Sequence, residues 1–341
     1  MRPSFFHHLH PPTIPAAQAR WRYTLGAGGT AIFLVLILGV TGILELFYYN
    51  PTPAEAALSV QTITYLVPFG GFIRNLHYWA AQFLLIVSAI HLLRVVFTAA
   101  YSSPRRFNYL LGLGLFVLAI LLDFTGYVLR WDVDICYPLL TGTNLLKTIP
   151  VVGNFLYRIA VGGGEACATG LLRFYIWHIF GLTIAAVILM VWHAFRVRRD
   201  GGIAVPPPQL RKDSTRISRN ELVRREVLAM FLVGIVLIIV SMLFPAPIAA
   251  AMTGNSTVGE ARAPWFFLWV QQMLKWGNPL LFGVLIPFGM LVLVALLPYI
   301  FPKPADGDIG QWFPKSNRLA QIVIGVIALI VLLLTLMMFI S

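Results

Sequence analysis

Charge is what this sequence has least of. Only 11% of its 341 residues are Asp, Glu, Lys or Arg, and 59% are hydrophobic. With a mean hydropathy of +0.81, that balance excludes a soluble domain and indicates an integral membrane protein. Acidic residues are scarcer than basic ones, 13 against 25, giving a net charge of +12. In a soluble chain such an excess would point to nucleic acid. Here the basic residues sit between apolar runs, so they report membrane orientation and imply no nucleic-acid partner. Cysteine is nearly absent: Cys136 and Cys167 stand alone, and no Cys-x-x-Cys-His exists, so no haem is attached through the c-type motif. Both cysteines fall in one loop, where a disulfide and two free thiols are both open. A cleavable leader is also lacking, because the first 24 residues have no short apolar core, and the first apolar span is expected to be retained.

What is abundant is long apolar sequence. Seven stretches can span about 30 Å of hydrocarbon, near residues 26–49, 74–98, 107–129, 171–196, 225–245, 278–301 and 317–340. The expected fold is therefore all-α, integral to the membrane and surrounded by lipid, with seven transmembrane helices. Composition divides it into an N-terminal segment (1–24), a four-helix module (25–200), a basic linker (201–224) carrying Pro206-Pro207-Pro208, and a three-helix module (225–341). The loop at 130–170 contains Pro138, Pro150 and Gly162-Gly163-Gly164. It is not one helix, although Leu145 to Ile159 suits a short interfacial one. Pro264 to Trp276 is aromatic and too short to span. Of the 25 basic residues, 18 fall on the side of the N-terminus and linker. That side is the negative (cytoplasmic) one, which sends the C-terminus to the positive side. A bacterial or archaeal cytoplasmic membrane is the expected location.

Four histidines carry the chemistry. His77 and His91 lie fourteen apart in one span, and His178 and His193 fifteen apart in another. Fourteen residues return a helix to within roughly 40° of the same face, and fifteen to within roughly 60°, over about 21–22 Å of rise. Two such helices side by side hold two imidazole pairs, one near each membrane surface. Facing neutral imidazoles are the ligands of six-coordinate haem iron, so two b-type haems are expected. A lone intramembrane histidine is commonly a packing residue, but matched pairs at one spacing are not explained that way. Glycines repeat the interval: Gly28 and Gly42 in the first span, Gly112 and Gly126 in the third. Glycine lets a flat ring approach a helix closely. Arg74 and Arg94 lie three residues from His77 and His91, placed to pair with haem propionates.

With those residues in view, the chain resembles the cytochrome b family of Rieske/cytochrome b quinol-oxidising complexes. The resemblance rests on Gly71-Phe72-Ile73-Arg74-Asn75-Leu76-His77, His91 through Arg94, Thr125-Gly126-Tyr127, and Arg173-Phe174-Tyr175 with His178. Four helices plus three look like the photosynthetic type, cytochrome b and subunit IV fused in one chain. The resemblance implies a dihaem cytochrome b subunit of a quinol:electron-acceptor oxidoreductase in a respiratory or photosynthetic chain. It implies a positive-side quinol site, electron passage from the His77/His178 haem to the His91/His193 haem, and a negative-side quinone site. It also implies a Rieske iron–sulfur protein, a c-type cytochrome and a homodimer as partners.

Three departures stand out. The family carries Pro-Glu-Trp-Tyr before its sixth helix, its glutamate a proton acceptor, whereas this chain has Ala263-Pro264-Trp265-Phe266. Pro264, Trp265 and Phe266, with Tyr127, are the expected quinone-site residues. The carboxylate is missing, and Asp132, Asp134 and Glu260 are the candidate replacements. Arg130 stands where the family has proline before tryptophan. Thr24 falls near the cysteine that tethers an extra haem in the photosynthetic branch, so no such tether is expected. The missing glutamate supports an alternative, a non-bifurcating dihaem conduit joining quinone to another redox module. A haem-free scaffold or transporter is the third reading.

Overall fold

The computed structural model describes residues 10–211, 213–251 and 262–340. Among them seven helices are long and apolar enough to cross a membrane: α1 (Ala27–Leu46), α2 (Gly70–Phe97), α3 (Arg106–Val128), α4 (Leu171–Arg199), α5 (Arg219–Leu243), α6 (Leu280–Ile300) and α7 (Lys315–Ile340). The apolar runs become helices because hydrocarbon offers backbone N–H and C=O groups no partner, and a helix satisfies them internally. α5 starts six residues before the expected 225. The Ser218 side chain accepts from the Asn220 amide, and Arg225 pairs with Glu221 one turn on, so the helix continues past its apolar window.

α1 packs along α2, α3 along α4, and α2 also lies on α3. α5 covers α1 and α2, α7 lies on α2, and α6 on α3. Leu34, Ala80 and Leu237 lock α5 in place, and Val96, Leu113, Leu297 and Ile324 join α2 and α3 to the last two helices. Inside lipid these contacts are held by close packing, since the hydrophobic effect gives no drive between helices there. Water does drive the cluster outside the spans, where Trp131, Ile135, Leu139 and Leu171 are buried, each worth about 1.5–3 kcal/mol. α4 has the least cover, with Phe180, Ile188 and Val191 directed outward.

The 130–170 loop forms three short helices, Cys136–Lys147, Gly153–Val161 and Ala166–Thr169, not one from 145 to 159. Pro150 and a left-handed Val151 break it. A further short helix, Ala56–Tyr65, precedes α2. The basic linker is more ordered than its composition suggests. Its Arg216–Ser218 strand (β2) pairs antiparallel with Thr13–Pro15 (β1), Ile14 opposite Ile217. The Gln18 amide donates to the carbonyls of Gly201 and Ile203, fastening the N-terminal segment at the Arg-rich end of the bundle.

Cys136 and Cys167 are joined, with Cα atoms 5.5 Å apart. The bond closes a loop that spans the Cys136–Lys147 and Gly153–Val161 helices, with a sequence separation of 31, and a loop of this size is worth about 3.7 kcal/mol. Replacing both cysteines by serine is expected to lower the apparent unfolding temperature of the purified protein. Reductant should lower the wild type equally and leave the double variant unmoved, as followed by intrinsic fluorescence on heating.

Candidate functional site

Between α1, α2, α3 and α4 runs one cavity of about 1850 Å³. An ordinary small-molecule pocket holds roughly 300–1,000 Å³, so there is room here for more than one large group. His77, His91, His178, His193 and all four expected glycines line it. The His77 and His178 ring centres stand 6.4 Å apart. That separation also suits one metal atom between two nitrogens, at bonds of about 2 Å.

Each glycine meets one imidazole. A Cβ on Gly126 would stand 2.8 Å from Cε1 of His178, on Gly42 3.1 Å from Cε1 of His77, on Gly112 3.1 Å from Cε1 of His193, and on Gly28 3.5 Å from Cε1 of His91. Ordinary carbon contacts lie at about 3.5–4.0 Å, so a side chain at Gly126 would force a shift, and one at Gly42 or Gly112 would fit only if the imidazole gave way slightly. What lies against each glycine is the histidine itself.

Neighbouring polar atoms set the rings. The Thr41 hydroxyl donates to the Ile37 carbonyl and accepts from Nδ1 of His77 at 2.8 Å. The Thr125 hydroxyl donates to the Leu121 carbonyl and takes Nδ1 of His178 at 3.0 Å, beside the Leu122 carbonyl at 3.0 Å. Nδ1 of His193 donates to the Asn108 carbonyl at 3.1 Å. Acceptors at Nδ1 place the proton there and leave Nε2 free as a metal ligand. His91 differs: its Nδ1 has a long 3.4 Å contact with the Arg94 guanidinium, which does not fix its tautomer. Sequence reasoning missed these threonines, although Thr41-Gly42 and Thr125-Gly126 repeat as a dipeptide on two helices.

The unequal histidine spacings also resolve. Trp177–Gly181 form a π turn, closed by the Leu182 amide donating to the Trp177 carbonyl. A π turn holds one extra residue. Fifteen residues through it therefore phase like fourteen in a regular helix, and His178 and His193 share a face as closely as His77 and His91 do.

The cavity ends differ. At the loop end Tyr127, Pro264, Trp265 and Phe266 come together with Arg74, Arg130, Glu45 and Asp123. Arg74 donates to the carbonyls of Ala246 and Pro247. Asp132 is buried, bridges Arg130 at 2.5 Å and accepts from the Ala249 and Asp134 amides, which makes it a clamp between segments. Asp134 is half-exposed, 3.6 Å from Arg130. Glu260 lies outside the described residues. Tyr49 stacks on Tyr175 and donates to the Leu129 carbonyl, and burial first, then Tyr175, pushes its hydroxyl pKa up. Glu45, Gln82 and Asp123 went unnoticed in the sequence as single polar residues in apolar spans.

At the basic end Arg94 is buried under the Tyr23 ring, 5.4 Å from its centre. Its Nε has no acceptor among the described residues. Tyr23 donates to the Ala204 carbonyl, and burial raises its pKa.

The family model for cytochrome b (N-terminal)/b6/petB matches residues 82–256. The chain belongs to the cytochrome b family. It is similar to a cytochrome b6 of Heliomicrobium gestii, 38% identical over 174 residues (51% of this chain, 82% of that one). It is also similar to a menaquinol:cytochrome c reductase cytochrome b subunit of Geobacillus thermodenitrificans, 33% identical over 175 residues (51% and 78%). A solved structure of a hyperthermophilic respiratory Complex III aligns over 93% of this chain and 92% of that one, with a TM-score of 0.72 and 17% identity. The shared fold thus extends through α5, α6 and α7. Membership implies b-type haem and an interaction with quinone. The residues fit haem: four imidazoles line a cavity, three with Nδ1 acceptors that leave Nε2 to ligate, glycines make the rings' seats, and the buried Arg94 Nε has no acceptor among the described residues.

The π turn makes a sharp prediction. Deleting Phe180 removes the extra residue and is expected to keep both histidines in phase, preserving the b-type absorption band. Deleting Ile188 from the regular helix turns His193 by about 100° and should remove the part of the band that His193 supports. Equal loss from both deletions would contradict the phasing.

Proposed function

We propose that the chain is the dihaem cytochrome b subunit of a membrane quinol:electron-acceptor oxidoreductase. The observation that carries this is the matched seating of imidazoles along one cavity that joins both ends of the bundle. His77 with His178, and His91 with His193, hold the two haems. Bound there, two b haems supply one-electron carriage between the membrane surfaces. The protein's residues do the rest. Glycine seats let the rings in, and Nδ1 acceptors hold three of the four in the ligating tautomer. Arg74 and Arg94 meet the propionates.

The loop end, with Tyr127, Pro264, Trp265 and Phe266, is the positive-side site where quinol binds and is oxidised. The basic end is the negative-side site where quinone is reduced. This orientation follows the basic residues, which concentrate at the N-terminus, the linker and the α6–α7 turn. Residues 25–200 form the haem module and 225–341 the module that completes the loop-end site. A Rieske iron–sulfur protein, a c-type cytochrome and a second copy of the chain are the partners, in a bacterial or archaeal cytoplasmic membrane.

The apolar run Pro264-Trp265-Phe266 favours a second reading, a conduit that carries electrons without splitting the pair from quinol. Oxidant-induced reduction separates the two. With the basic-end site blocked and quinol present, an oxidant pulse to the purified complex is expected to drive transient extra reduction of the b band. No extra reduction, with an active Rieske partner present, supports the conduit. A preparation with no b band at all sinks both and leaves the scaffold or transporter.

A further inference from the structure

One carboxylate at the loop end is held by a single amide side chain. Asp123 lies within α3, faces the cavity and makes no salt bridge among the described residues. Its oxygens take 3.1 and 3.2 Å hydrogen bonds from the Gln82 amide of α2. The Gln82 carbonyl in turn accepts from the Trp265 indole at 2.6 Å. Gln82 is buried, so the amide cannot turn freely, and one bond orients the other. The result is a carboxylate held at the cavity wall by a residue that also holds Trp265. An ionisable group inside a span is costly, and it persists facing a bundle interior where it serves transfer. Asp132 is engaged by Arg130 and the Ala249 amide, while Glu45, whose buried Oε1 has no hydrogen-bond partner among the described residues, lacks the bridge to Trp265 that holds Asp123.

We propose that Asp123 is the proton acceptor for a quinol hydroxyl bound beside Trp265, with Gln82 as its positioning residue. This rests on the reading of the loop end as the quinol-oxidising site. In the step, the quinol O–H bond breaks and a carboxyl O–H forms on Asp123. A quinol anion and a neutral carboxyl result, and no electron moves. Tyr127, four residues on, shares that face of α3, and Arg130 just past the helix lies over its ring and leads outward to the half-exposed Asp134. Of the titratable groups, Tyr78 from α2 interacts with Asp123, and Arg74 from α2, Tyr127 from α3, Arg130 and Glu45 from α1 line the same cavity.

The test is menadiol-driven reduction of the b band in the purified complex, with the basic-end site blocked. Positioned general bases contribute about 100-fold or more. Asp123→Asn is expected to slow reduction by about that factor with unchanged haem content, its rate climbing with pH as hydroxide replaces the lost acceptor. Asp123→Glu should recover most of the rate. Menadiol-induced infrared difference spectra should show a carboxylic C=O band in the wild type that Asp123→Asn lacks. A fully haem-loaded Asp123→Asn complex with wild-type rate and pH profile overturns the proposal alone. A wild-type complex that menadiol does not reduce overturns the quinol-oxidising reading beneath it. If Asp123→Asn fails to assemble, Gln82→Leu is measured instead: slower reduction with the same pH rise upholds the proposal, and an unchanged profile overturns it.

Discussion

Each imidazole at the centre of this bundle lies against a glycine of the neighbouring helix, most tightly at Gly126. That contact orders the four-helix half of the molecule. Gly42 and Gly28 on α1 accept His77 and His91 from α2, while Gly126 and Gly112 on α3 accept His178 and His193 from α4. α1 must therefore run against α2, and α3 against α4, in one register each. The threonine or carbonyl next to the seat then orients three of the rings. With Cε1 of each ring against a glycine, the four imidazoles line a cavity that side chains would otherwise fill. Packing that would normally close such a volume is moved outward, to the clusters that fix α5, α6 and α7.

The two ends of the cavity are chemically unlike. Buried carboxylates, tyrosines and indoles gather at the loop end, beneath the short helices joined by Cys136 and Cys167. Arginines gather at the other, where the N-terminal segment and linker are stitched together as β1 and β2. Proton-accepting groups at one surface and cationic ones at the other suit opposite quinone chemistries at the two sites.

Much of this was legible in the sequence. The seven spans follow from hydropathy over windows longer than any packing detail, and the fourteen-residue histidine and glycine intervals follow from helix geometry alone. The family resemblance read from residues such as Arg74 through His77 holds for the chain. Other features depend on contacts between distant residues. Nothing local marks Trp177–Gly181 as a π turn, yet it reconciles a fifteen-residue spacing with a fourteen-residue one. Thr41 and Thr125 look like ordinary small residues until His77 and His178 are folded against them. Gln82 and Trp265 are 183 residues apart, so the chain from indole to amide to Asp123 has no trace in local pattern. The linker, read as solvated charge, forms a strand because the N-terminal segment returns to pair with it.

The central claim is two six-coordinate haems, each held by a facing histidine pair. The most direct measurement is the haem-to-polypeptide ratio of the purified chain by pyridine haemochrome, together with the spin state of the oxidised iron. Two haems per polypeptide, both low-spin, is the expected result. A single haem, or high-spin iron with an open position, would contradict the paired seating.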